Sequence, residues 1–178
     1  MMYNSYSYEQ NRKIGDLAGR QAIMAAWSDD RGRRLPKGWL EPGEPVVDVR
    51  NKIDWVASHG SHIDAYFQTK TNSLNNSHFE NNYMPGYVPV RCSTLKTMRN
   101  ELEVYREYTS SVPMYHIGAR YYDRRGDNFL FESIWVLDVA DVKKYTEEEL
   151  ASFHRFLVPN KEGKPSEFIN LPATFRIR

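Results

Sequence analysis

At 178 residues the chain has room for one domain with a real core and not for two comfortable ones. Apolar residues make up 40% and aromatic residues 13%, which excludes a disordered chain. A formal net charge of +1 excludes a global basic field of the kind that coats nucleic acid, although an enzyme can confine its basic surface to one cleft.

The lone Cys92 cannot form an internal disulfide, which suits a reducing compartment. No apolar run approaches the ~20 residues needed to span a bilayer, and the polar opening MMYNSYSYEQ lacks a signal-peptide core. The expectation is a soluble cytoplasmic protein with no membrane partner, folded as a single domain over residues 1–178.

In chain order, Ser7 followed by Gln10 has the spacing of a capping box, and a helix is predicted from Tyr8 to about Trp27. Ile14, Leu17, Ala18, Ala22 and Ala25 form its narrow apolar stripe. Gly15 and Gly19 weaken it but let another element approach closely. Glu9, in the first turn, has two readings, a favourable interaction with the helix dipole or a role at a metal. Ser28–Pro45 is turn-rich and charged, a loop with a short extended piece around Trp39. Its Arg31, Arg33, Arg34 and Lys37 read either as a solvated run or as a phosphate-contacting rim.

Val46–Val49 is predicted as a strand. Lys52–Thr71, KIDWVASHGSHIDAYFQTKT, then reads as two strands joined by a His-Gly-Ser-His turn. Asn72–Tyr87, rich in Asn, reads as a long loop and a candidate substrate-facing flap. A helix is predicted from Thr94 to Tyr108, with Leu95, Met98, Leu102 and Tyr105 inward. Strands MYHIGARYY and FLFESIWVLDV follow, paired through a turn at Arg124–Asp127. Thr146 and Glu149 form a capping box for a helix continuing through Leu150, Phe153 and Leu157. The tail ends in an apolar-alternating segment that suits an extra strand.

Register decides what the Lys52–Thr71 hairpin can do, because strand side chains alternate faces. A two-residue Gly60-Ser61 turn sets Asp54 opposite Phe67 and away from Gln68. A three-residue Gly60-Ser61-His62 loop sets Asp54 opposite Gln68. The hydrophobic pattern favours the second, placing Trp55 against Phe67 and Ala57 against Ala65 on one apolar face. The other face then carries Asp54, Val56, Ser58, Asp64, Tyr66, Gln68 and Lys70. Solvent exposure is the ordinary fate of such a face.

The functional alternative is metal-assisted phosphodiester hydrolysis. A carboxylate and neighbouring oxygen ligands hold Mg²⁺ or Mn²⁺. The ion polarises the phosphoryl group and lowers the pKa of bound water. A lysine two residues further along the same face orients that water or offsets developing charge. His59 and His62 flank the turn, but a zinc site needs two more ligands that the sequence does not supply. Cys92 has no identifiable base and reads as a small buried residue.

On Asp54, the Gln68-Thr69-Lys70 triplet and the order helix, strand, hairpin, helix, two strands over residues 8–142, the chain resembles the PD-(D/E)XK nuclease superfamily. The resemblance implies an α/β domain with a restriction-endonuclease-like core, a central mixed sheet flanked by helices, followed by a C-terminal helix and tail over residues 143–178. It implies a Mg²⁺-dependent deoxyribonuclease acting on DNA, possible as a homodimer. Asp54 and Gln68 would be metal ligands and Lys70 would assist the water. Glu9, on the first helix, would be an auxiliary ligand, with Asp64 and Asp48 in reserve. Two positions depart from the family pattern, Ile53 where proline is usual and Gln68 where Asp or Glu is usual. A glutamine carbonyl ligates metal without supplying negative charge, so the alternative is a non-catalytic nucleic-acid-binding or assembly module that keeps the fold.

Overall fold

Periodicity at 3.6 residues from Tyr8 gives way to alternation from Trp55, and the fold follows that change. The computed structural model describes residues 8–27, 39–42, 54–59, 61–96, 112–159 and 163–177. Helix α1 runs over Tyr8–Trp27. Strands β1 (Trp39–Pro42), β2 (Trp55–His59) and β3 (His62–Ser73) form an antiparallel meander. Helix α2 (Ser77–Glu80) and strand β4 (Tyr87–Arg91) follow. Next come β5 (Met114–Arg125), β6 (Asn128–Asp138), α3 (Val139–Val142) and α4 (Glu147–Ser152). The chain closes with β7 (Arg155–Val158), β8 (Ser166–Pro172) and β9 (Phe175–Arg176).

The architecture is α/β. A mixed six-stranded sheet has the order β1-β2-β3-β5-β6-β9, and a three-stranded sheet has the order β4-β8-β7. Among the described residues the one parallel contact, β3 with β5, lies at the centre, where both faces are covered. The C-terminal tail is integral to the fold, since β8 completes the small sheet and β9 pairs with β6 in the large one.

Helix α1 covers one face of the large sheet. Ala22, Ile23 and Ala26 pack with Trp55, Ala57, Ala65, Phe67, Ile117, Ala119, Ile134 and Val136. The buried stripe is turned by about one residue from the expected one, so Ile23 and Ala26 are buried while Ile14, Leu17 and Ala25 are only partly so. Small residues bring the helix close. A Cβ added at Gly19 would overlap Thr69 Oγ1, whereas one at Gly15 meets nothing. The end of the β5–β6 hairpin is tied to the helix by Gln21, which donates to the Asp127 carbonyl and accepts from the Phe129 amide.

The other face of the large sheet carries a second apolar cluster. Tyr66, Met114 and Leu137 pack with Val88 and Val90 of β4, Ile169 and Leu171 of β8, and Val139, Val142 and Leu150 from the short helices. Strand β4 presses down at Gly118, where a Cβ would lie 3.0 Å from Val88 Cγ1. The face expected to meet solvent is therefore covered by the small sheet.

Several local expectations change. Thr146 and Glu149 do close a reciprocal capping box, but α4 stops at Ser152 and the chain continues as β7. Pairing with β8 wins there, because it buries Phe156 between Phe79 and Phe168 and leaves Leu157 exposed. The 72–87 stretch is not one long loop, for β3 continues to Ser73 and α2 buries Phe79. The β5–β6 turn is shorter than expected, with Gly126 and Asp127 between the strands and Gly126 at φ 59°. Residues 92–96 begin a helix two residues before Thr94. The rest of the helix predicted to Tyr108 lies outside the described residues, as do Ser7, the basic run from Arg31 to Lys37, Val46–Val49 with Asp48, and Ile53.

Candidate active site

The β2–β3 register is the one the hydrophobic pattern favours. Trp55 pairs with Phe67 and Ala57 with Ala65. One step further, Asp54 falls beside Gln68, and its amide donates to the Phe67 carbonyl at 2.8 Å. The turn differs from the expected three-residue loop. His59 pairs with His62, leaving two residues between them, and a bulge between Ala57 and Ser58 restores the register by leaving Asp64 as the extra residue. A two-residue turn with a bulge and a three-residue loop deliver the same pairing at the far end.

Parallel pairing carries the row into β5, since Gln68 lies opposite His116, Lys70 opposite Gly118 and Asn72 opposite Arg120. Strand β6 continues it with Leu137, Trp135 and Ser133. These positions share the face under the small sheet. Three strands thus set Asp54, Gln68 and His116 in one row, with Gln68, His116 and Lys70 on the face under the small sheet and the Asp54 carboxylate turned to Thr69.

Asp54 stands just before β2. Its Oδ2 accepts the Thr69 amide at 2.8 Å and the Thr69 hydroxyl at 3.1 Å. Gln68 Oε1 is buried and has no hydrogen-bond partner among the described residues. A carbonyl oxygen and a carboxylate are the donor types that a hard divalent cation of the Mg²⁺ or Mn²⁺ kind takes. No three His, Cys, Asp or Glu side chains gather at metal-binding distance among the described residues, so an ion here must draw on amide oxygen as well.

Lys70 is deeply placed. Its Nζ lies 5.3 Å from the Phe79 ring centroid and 5.2 Å from that of Phe168. Burial pushes its pKa down, Arg91 pushes it further, and Asp54 pulls the other way. Beyond it lies a cleft lined by Asn72, Tyr83, Gly118, Arg120 and Asn170, whose enclosed part of ≈ 20 Å³ has room for one water. The Arg120 guanidinium stacks 3.8 Å from the Tyr83 ring centroid, and Trp135 Nε1 donates to Tyr83 Oη at 3.4 Å.

Glu9 is not brought to this group. It is exposed on the first turn of α1, ten residues before Gly19, the residue that abuts Thr69, and that separation is ~15 Å of helix. The helix runs towards the β5–β6 hairpin at that end, where Gln10, Lys13 and Leu17 face Arg124 and Asp127. Asp64 stays at the turn, 3.7 Å from His62. Cys92 is a free, partly buried thiol raised in pKa by burial, with Glu167 adding to the effect.

His116 is the residue that sequence reasoning missed. It is 3% exposed, and neither ring nitrogen has a hydrogen-bond partner among the described residues. The Pro89 backbone carbonyl faces the ring without closing a bond of good geometry. Burial lowers the imidazole from 6.5 to about 4, against the pull of Pro89 and with Lys70 lowering it further, so it is neutral at pH 7. The signal for it lay in MYHIGARYY, where Met114, His116, Gly118 and Arg120 alternate with Tyr115, Ile117 and Ala119. That pattern puts an imidazole on the same face as the lysine.

No protein-family model, no curated protein and no solved structure matches this chain.

Proposed function

We propose that the chain is a metal-dependent nuclease with a restriction-endonuclease-like core that hydrolyses phosphodiester bonds in DNA. The observation that carries the reading is the cross-strand placement of Asp54 beside Gln68, with Gln68 Oε1 buried and unpartnered and Lys70 on the same face. The mixed sheet with α1 on one face and the order of elements support it.

In this reading the Asp54 carboxylate and the Gln68 amide oxygen would hold Mg²⁺ or Mn²⁺. When bound, the ion supplies Lewis-acid polarisation of the phosphoryl oxygen and acidifies its water. Lys70 Nζ would orient the attacking water and offset charge on the scissile phosphate. Burial between two aromatic rings and the nearby Arg91 lower the pKa of its amine. As the water oxygen attacks phosphorus, the P–O bond to the leaving group breaks and the water's proton is released to solvent. Glu9 takes no part. Two copies acting together would cut both strands of a duplex, which is the sense in which a homodimer belongs to this proposal.

One observation favours a second reading, a non-catalytic nucleic-acid-binding or assembly module that keeps the fold. Asp54 Oδ2 already accepts two hydrogen bonds from Thr69, so the carboxylate has a structural role of its own.

The test is cleavage of single-stranded, duplex and branched DNA with Mg²⁺ or Mn²⁺, set beside metal titration by calorimetry. Metal-dependent cutting that Asp54→Ala and Lys70→Ala each abolish supports the nuclease. DNA binding without divalent binding at Asp54 supports the module.

A further inference from the structure

The row at Gln68 holds more unsatisfied polar groups than a sheet interior normally tolerates. Gln68 Oε1, His116 Nδ1 and His116 Nε2 are all buried without partners among the described residues, on two residues that pair directly across β3 and β5. Buried polar atoms are nearly always paired with protein or ordered water. Three orphans on cross-strand neighbours mark a place where something polar or charged belongs.

We propose that His116 is a metal ligand, its imidazole standing in for the carboxylate that position 68 lacks, and that the centre therefore prefers Mn²⁺ and similar imidazole-accepting divalent ions to Mg²⁺. The inference rests on the metal site proposed above and names a ligand that neither the motif nor the resemblance contains.

The geometry allows it. Neighbouring strands lie ~4.8 Å apart, and first-row divalent ions bind nitrogen and oxygen at about 2.0–2.2 Å. An ion over Gln68 would meet Gln68 Oε1 and an imidazole nitrogen on the β5 side, with Asp54 on the neighbouring strand. The Pro89 backbone carbonyl lies by the His116 ring. A metal-bound histidine commonly donates its other ring N–H to just such a backbone carbonyl, which fixes the tautomer.

The chemistry of the donors sets the selectivity. A carboxylate with amide and water oxygens suits Mg²⁺, whereas an imidazole in the set favours Mn²⁺, Co²⁺ or Zn²⁺. A lone carboxylate supplies less charge than the usual acidic pair, and a nitrogen donor is the compensation this fold has within reach.

The test is pulsed electron paramagnetic resonance of the full chain with Mn²⁺, read for nitrogen coupling, alongside calorimetry with Mn²⁺ and Mg²⁺. The expected result is bound Mn²⁺ coupled to one imidazole nitrogen, and Mn²⁺ affinity above that for Mg²⁺. His116→Gln should erase the coupling and weaken Mn²⁺ by about 10-fold or more, the scale at which even outer-shell partners count. The wild-type spectrum needs no variant, so a misfolded His116→Gln protein leaves the test intact. Mn²⁺ that binds through Asp54 with no nitrogen coupling, or with coupling that survives His116→Gln, overturns this inference and leaves the nuclease reading standing. No Mn²⁺ binding at all, as when a buried water alone fills the row, overturns both. Nitrogen-coupled Mn²⁺ in a protein that cuts no DNA supports the ligand and removes the nuclease.

Discussion

Thr69 donates both its amide N–H, at 2.8 Å, and its hydroxyl, at 3.1 Å, to the same oxygen of Asp54. The same hydroxyl sits where a Cβ on Gly19 would lie, so α1, β3 and the proposed metal-binding carboxylate meet at one side chain. The position of Asp54 depends on how closely the helix packs.

That relationship separates the two glycines of α1. Gly15→Ala meets open space and should stabilise the protein by up to about 1 kcal/mol, the helix-propensity gain. Gly19→Ala must displace Thr69 and should destabilise it by about 1–3 kcal/mol, as overpacking does. Combining Gly19→Ala with Thr69→Ala should cost less than the two alone together, because the residues are in contact. Urea denaturation of the four variants measures all three, and equal effects at Gly15 and Gly19 would contradict the packing.

Acid should weaken the fold through His116. Its pKa is about 4 in the folded protein against 6.5 ordinarily, so between those values the unfolded chain binds a proton that the folded one refuses. The stability is fully present above pH 6.5 and falls by roughly 3 kcal/mol as pH drops towards 4. Thermal or urea unfolding from pH 7.5 to 4 without divalent metal checks this. His116→Gln should flatten that part of the profile, and an unchanged slope would show that other groups carry it.

Lys70 should divide activity from stability. Its amine is desolvated between Phe79 and Phe168, and no ion pair to it is found among the described residues. Lys70→Met keeps the stem and removes the buried cation, so the urea midpoint at pH 7 should hold or rise. Cleavage should fall by about 10²–10³, the scale of losing one group that stabilises transition-state charge. A clear loss of stability would mean that the two ring contacts outweigh the desolvation.

Thr146→Ala removes the side chain that accepts from the Glu149 amide at 3.1 Å and breaks the capping box of α4. The expected cost is about 1 kcal/mol. Circular dichroism during urea denaturation reads it, and cleavage should be untouched because α4 lies outside the proposed centre.

Local regularity made much of the large sheet legible in the sequence. The 3.6-residue stripe located α1, and the pairing of Trp55 with Phe67 followed from alternation because a one-residue slip mixes apolar and polar sets. The bulge at Asp64 was not legible, since it and a longer loop leave the same register. The small sheet was missed for two reasons. Strand β4 is five residues with a proline inside, and Leu150, Phe153 and Leu157 satisfy helical spacing as well as Arg155–Val158 satisfies a strand. Missing that sheet meant missing that it buries the face of Gln68 and Lys70. His116 was hidden likewise, because a polar residue within a strand gains meaning only once its neighbour on the next strand is known.

The most direct measurement is single-turnover cleavage of labelled DNA by the wild-type chain and Asp54→Ala, with Mn²⁺ and with the metal chelated. The account predicts cutting by the wild type that stops on chelation, returns with Mn²⁺, and is absent from a folded Asp54→Ala protein. Cutting that survives chelation or Asp54→Ala, or no cutting of any DNA form, would contradict it.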